Sequence, residues 1–185
     1  MRNLKNLDIP KSIKTKKLVF EQTWLDKFDT FTNYLAYFSL LASSFLILIE
    51  INPNSENDTV GYLIFPVTII FCLYAFYCKF SELILKEIKF DIHREDAKQR
   101  ILEYGKGFDY RISKISNDLI FLNENISYFG FGNYEKTIII FIKDKSILVT
   151  LIKEGFRINA PVLFSQHFIK SDLKKILKQS RKKNI

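Results

Sequence analysis

Two long apolar stretches interrupt an otherwise polar, charged chain. The second runs from Val60 to Cys78 without a charge and is closed by Lys79. About twenty apolar residues at 1.5 Å rise per residue cross a hydrocarbon core of roughly 30 Å, so this stretch is long enough to span a bilayer as one helix. Pro66 lies inside it, where the freed carbonyl can kink the helix or be satisfied by a neighbour. The first stretch runs from Tyr34 to Ile49, with Ser39, Ser43 and Ser44 within it and Glu50 after it. Taken together they predict a transmembrane α-helical hairpin with spans over 31–51 and 60–79. Ser39, Ala42 and Ser43 share one helical face, as small residues do where membrane helices approach closely. Alternatively, these serines bond to carbonyls of their own helix.

The flanks carry a different pattern. Phe20, Trp24, Phe28 and Phe31 are spaced 4, 4 and 3 apart, which puts four aromatics on one helical face. That pattern predicts an interfacial amphipathic helix leading into the first span, with Trp24, Phe28 and, after the second span, Lys79 at the membrane interface. The preceding Met1–Lys17 segment is basic and lacks periodicity, so residues 1–30 read as a flexible arm followed by that helix. Beyond Lys79, the residues Phe80, Leu83, Ile84 and Ile88 continue at helical spacing. They predict a helical stalk over 80–106 continuous with the second span, whereas a break at Ser81 would reduce the connection to a tether. Asp91 is placed to cap a helix from Arg94 to Tyr104, with Ala97, Ile101 and Tyr104 on one face and Gly105 and Gly107 at its end.

From Phe108 the period changes from helical to alternating. Phe108, Tyr110 and Ile112 alternate with polar residues, and further strands follow at Leu119–Leu122, Ile126–Phe131, Lys136–Ile142, Ile147–Ile152 and Phe156–Asn159. The turn Lys143-Asp144-Lys145-Ser146 is too short for anything but an antiparallel connection. Pro161 stops the last strand, and a final helix capped by Ser171 presents Leu173, Ile176 and Leu177 as an apolar stripe. The fold class is therefore a membrane hairpin plus an α+β domain over 107–185, an antiparallel meander of five to seven strands with a C-terminal helix and a basic tail.

Charge adds an orientation. The 185 residues carry a formal net charge of +8. Every lysine and arginine lies before the first span or after the second, while the intervening Asn52–Thr59 loop has only Glu56 and Asp58. The positive-inside rule puts both termini in the cytoplasm and the loop outside. The expected home is a bacterial inner membrane, multi-pass, with both ends inside. Asn57-Asp58-Thr59 matches a glycosylation sequon, but the loop is too short to give the match weight.

The segment Thr137–Thr150, with Asn159-Ala160-Pro161 and Phe164 after it, carries a strand, turn, strand and proline order. Followed by one amphipathic helix, this order resembles a pleckstrin-homology-like domain. A membrane hairpin ahead of such a domain is similar to the small bacterial YcxB-like proteins. The resemblance covers roughly the last 80 residues, implies a fold, and implies no known activity.

Candidate chemistry is sparse. Cys72 and Cys78 are six apart in one helix and lack a CxxC or histidine partner, so they read as small apolar residues, with Cys78 open to acylation at the inner interface. His93 sits among Asp91, Arg94, Glu95 and Asp96, but Asp91, His93 and Glu95 do not face one way on a helix, and the acids suit a helix start. His167 has no nearby acid. Glu87-Ile88-Lys89 has the form of a nuclease E-x-K pair without the upstream acid on a sheet, and Gly130-Phe131-Gly132 is too brief to cradle phosphate.

No catalytic, metal or cofactor site is expected. What remains is the basic set Lys170, Lys174, Lys175, Lys178, Arg181, Lys182 and Lys183, opposed only by Asp172. It points to a protein partner or anionic lipid; without interleaved aromatics, nucleic acid is disfavoured. The expectation is a non-enzymatic membrane accessory or scaffold protein that binds a partner or forms a homo-oligomer. The alternatives are a signal-gated effector that oligomerises in the bilayer and a membrane immunity or defence-associated protein.

Overall fold

Apolar residues of both parities along the strongest strands mean that both faces of the sheet must be covered, and the computed structural model shows by what. It describes residues 6–21, 23–50, 59–116, 118–124, 135–154, 162 and 165–178. In chain order the elements are α1 (Ile9–Thr15), α2 (Trp24–Glu50), α3 (Thr59–Ser81), β1 (Lys86–Lys89), α4 (Arg94–Gly107), β2 (Arg111–Ser116), β3 (Leu119–Asn123), β4 (Glu135–Ile142), β5 (Ser146–Glu154) and α5 (Ser165–Lys178). The sheet is antiparallel throughout, in the order β1-β5-β4-β3-β2. The meander is thus β2 to β5, and β1 adds a fifth strand along the edge of β5. The strands predicted at Ile126–Phe131 and Phe156–Asn159, the 52–58 loop, Pro161 and the tail residues Arg181, Lys182 and Lys183 lie outside the described residues.

One face of the sheet, with Ile120, Leu122, Ile138, Ile140 and Leu151, packs against Ala97, Ile101 and Tyr104 of α4 and Leu173 and Leu177 of α5. The other face, with Leu119, Phe121, Ile139, Phe141, Leu148 and Ile152, is covered by Leu7, Leu18 and Leu85 and flanked by Ile9 and Ile13. β3 is consequently buried along its whole length. Burying each such Leu, Ile or Phe side chain contributes about 1.5–3 kcal/mol, so both layers matter to stability.

Residues 6–21 are therefore a structured strap, where composition predicts a flexible arm over Met1–Lys17. Asp8 caps α1 by accepting from the Lys11 amide at 3.0 Å, and Pro10 sits in the first turn. Lys16 ends the helix in the left-handed region with φ 52°. The buried Ser12 hydroxyl donates to the Asp8 carbonyl (2.6 Å) and accepts from the Val19 amide (2.9 Å), which folds the chain back on itself. Periodicity could not show this, because the strap binds through a few leucines spaced by a reversal.

The stalk predicted over 80–106 is broken. α3 ends at Ser81, and Lys86–Lys89, whose neighbours fit a helical stripe, instead pairs with β5, Lys86 opposite Val149 and Lys89 opposite Ser146. An open sheet edge outcompetes local helix periodicity here. Ile88 faces one core and Leu85 the other. Two predicted caps also differ. His93, not Asp91, is the N-cap residue of α4 and makes no side-chain cap bond, and α5 begins at Ser165, leaving Ser171 inside the helix. β2 starts at Arg111 instead of Phe108, because the Tyr110 amide is drawn back to the Gly105 carbonyl (2.9 Å) in the turn that closes α4.

α2 and α3 form the antiparallel pair that the two apolar stretches predict, at 27 and 23 residues, or about 40 and 34 Å at 1.5 Å per residue. Phe76 packs between Tyr34 and Tyr37, each 5.9 Å away between ring centroids. Asn33, Ser44, Cys72, Ala75 and Cys78 are buried in the pair, while Ser39 and Ser43 are exposed. The seam thus uses Ser44 rather than the face of Ser39, Ala42 and Ser43. Both Ser43 and Ser44 donate to the Leu40 carbonyl of their own helix, at 3.1 and 2.8 Å.

Candidate membrane junction

The helix that begins at Trp24 is set by a reciprocal cap. The Thr23 amide and hydroxyl both donate to Asp26 Oδ2 (2.9 and 2.8 Å), and the Asp26 amide donates to Thr23 Oγ1 (3.3 Å). No break separates the aromatic face from the first apolar stretch, so the interfacial helix and the first predicted span are a single helix. Trp24 and Phe28 stack at 5.8 Å, and the two residues are 75% and 53% exposed. Large apolar side chains continue outward along both helices, among them Phe38, Leu46, Leu63, Val67 and Ile70. Both helices are long and apolar enough to cross a membrane.

Lys79, the third predicted interface residue, is placed differently. Its ammonium donates to Glu82 Oε2 at 2.9 Å, and the two side chains are only 11% and 6% exposed. Glu82 then gathers the elements around it. Its other carboxylate oxygen accepts the Val162 amide at 2.7 Å, and its carbonyl accepts the Thr150 hydroxyl of β5 at 2.6 Å. Gln166 of α5 donates to the Thr150 hydroxyl at 3.2 Å. Through its carboxylate and its carbonyl, Glu82 thus ties the end of α3 to Val162, ahead of α5, and to the sheet. Neither Glu82 nor Thr150 was marked by motif, although Lys79-Phe80-Ser81-Glu82 places an i, i+3 ion pair where an apolar run turns polar.

The strap joins the junction from the other side. The Leu18 amide donates to the Leu83 carbonyl (2.7 Å) and the Leu85 amide to the Lys16 carbonyl (2.9 Å), forming a short antiparallel bridge of Lys17 with Ile84. Lys16 Nζ donates to Glu87 Oε2 at 2.7 Å; this bond, with a second from Ser146, holds the Glu87 carboxyl below its ordinary range. Lys17 Nζ lies 5.7 Å over the Phe80 ring. Both ends of the helical pair are therefore clamped to one sheet.

The four described members of the basic set lie along α5. Leu173 and Leu177 turn inward, while Lys170, Lys174, Lys175 and Lys178 are exposed, with Lys175 3.7 Å from Asp172. His93 and His167 are both exposed, Cys72 and Cys78 are free thiols, and no group of three His, Cys, Asp or Glu among the described residues is placed to hold a metal. No family model matches this chain, and neither a curated protein nor a solved structure does.

Proposed function

We propose that this chain is an integral membrane accessory protein, with α2 and α3 spanning a bacterial inner membrane, both termini in the cytoplasm, and the sheet domain docking an acidic protein partner through the lysine face of α5. The observation that carries the reading is the continuous exposed apolar surface of α2 and α3, from Trp24 to Ile49 and from Val60 to Tyr77, beside a domain whose own apolar faces are covered. A soluble protein would leave that surface in water at great cost. The absence of basic residues between the helices supports the orientation.

The test has two readouts. Membranes from expressing cells are washed at alkaline pH; the chain stays in the pellet until detergent is added, and release by the wash alone overturns the membrane reading. The detergent extract is then cross-linked, and a partner captured by the parent is lost when Lys170, Lys174 and Lys178 are all changed to Glu. Equal capture by both overturns the α5 assignment. The Lys79–Glu82 tie favours one second reading, a signal-gated effector, because it gives the domain a stiff connection to α3.

A further inference from the structure

The turn that closes α4 brings together side chains that no motif connects. Asp109 sits in the left-handed region at φ 55°, with its amide donating to the Lys106 carbonyl at 3.1 Å. Such a conformation is uncommon outside glycine and is tolerated by Asp and Asn. Here it holds the aromatics on either side of it against Tyr104. Tyr104 and Phe108 lie 4.7 Å apart between ring centroids, Tyr104 and Tyr110 6.2 Å, and Phe108 and Tyr110 6.3 Å. Phe168 of α5 completes the wall of a cleft of about 220 Å³, whose rim carries Glu124 and Asp172.

Three features of this cleft are those of a site rather than of an unfinished core. Phe108 and Phe168 are 61% and 67% exposed, although the sheet face beneath them is fully covered. Two phenols stand in its wall: burial pushes Tyr104 up to about 12 and Tyr110 upward, with Asp172 adding to both and Glu124 to Tyr110. The rim also carries two carboxylates, Glu124 and Asp172, to one ammonium, that of Lys136. Lys136 is engaged by Glu124 at 2.8 Å, while the nearest cation to Asp172 is the solvent-exposed Lys175 at 3.7 Å.

We propose that this cleft binds a small organic cation, a substituted ammonium, against the aromatic wall formed by Tyr104, Phe108, Tyr110 and Phe168, with Asp172 as its counter-charge. Aromatic faces attract cations through their quadrupole, and alkylated ammonium groups are preferred because they shed water readily. The volume decides the size class. Clefts for drug-sized ligands run from about 300 to 1,000 Å³, so this one takes a head group of a few carbons and no more. An anion is disfavoured by both the phenyl faces and the carboxylates. The proposal concerns the sheet domain alone and stands or falls separately from the membrane reading.

The experiment uses the full chain in nonionic detergent micelles and tetramethylammonium as the probe, read by saturation transfer to its methyl protons. A saturable signal is expected, and the neutral isostere tert-butanol does not compete for it. Asp172→Asn and the double variant Phe108→Leu, Phe168→Leu each bind about tenfold more weakly, since leucine keeps the apolar bulk and removes the ring face. Thermal melts matching the parent show that these variants are folded. A His93→Gln variant, remote from the cleft, binds as the parent does. Absence of a saturable signal, equal competition by tert-butanol, or unchanged binding in both folded variants overturns the proposal.

Discussion

Single positions hold this fold at points where no alternative atom fits. Gly105 is buried in α4, and a Cβ there would lie 2.8 Å from Leu122 Cδ2 and 3.3 Å from Ile112 Cδ1. Leu122 is itself fully buried and has nowhere to retreat. Gly105→Ala gains helix propensity but overpacks the core, for a net loss of about 1 kcal/mol in chemical denaturation; a stabilised variant would show that α4 can slide. Lys79 and Glu82 are a sharper case. Removing one member of a buried ion pair costs about 3–5 kcal/mol because the other charge stays buried alone. Glu82→Ala and Lys79→Met should each lose stability on that scale. The double variant Lys79→Met, Glu82→Gln keeps an acceptor for the Val162 amide and should lose only about 1 kcal/mol. Single variants that melt with the parent would mean that the pair holds nothing together.

At the scale of elements, long one-sided patterns were readable and edge decisions were not. The apolar runs of α2 and α3, the short apolar runs of β3 to β5 and the stripe Ala97, Ile101, Tyr104 all predict the elements that form. β1 and α1 were hidden for opposite reasons. Ile84 and Ile88 fit a helix as well as a strand until β5 offers an open edge. Leu7 and Leu18 reach one seat through a chain reversal that no fixed period describes. The aromatic cleft was hidden too, because Tyr104 reads as the last residue of a helix face and Tyr110 as the second of a strand. The strap has its own pH response. A carboxyl held low in the folded chain stabilises it above the ordinary glutamate range and loses that contribution as pH falls through the depressed value. The Glu87 contact to Lys16 therefore weakens only under acid conditions. The protection of the Leu18 and Leu85 amides from hydrogen exchange, taken relative to the intrinsic exchange rate at each pH, should fall there in the parent, while Glu87→Gln shows no such step. A step of equal size in both would assign it to another group.

For the whole molecule, the sequence order of hairpin first and sheet second is misleading. The bridge between Lys17 and Ile84 lies on both sides of the helical pair, and Leu7, Leu18 and Leu85 share one core. In topological terms α2 and α3 are an insertion within a discontinuous domain whose two pieces are 6–21 and 82–178. A shortened chain beginning at Glu82 strips Leu7 and Leu18 from the face of Leu119, Phe121, Ile139, Phe141, Leu148 and Ile152, and light scattering should find it self-associated. Joining residues 6–21 to Glu82 through a short flexible linker should restore a monomer that melts cooperatively. A monomeric, cooperative chain from Glu82 alone would refute this division. The strap precedes β5 in the chain, so its seat on Leu148 and Ile152 exists only after α2 and α3 have been made.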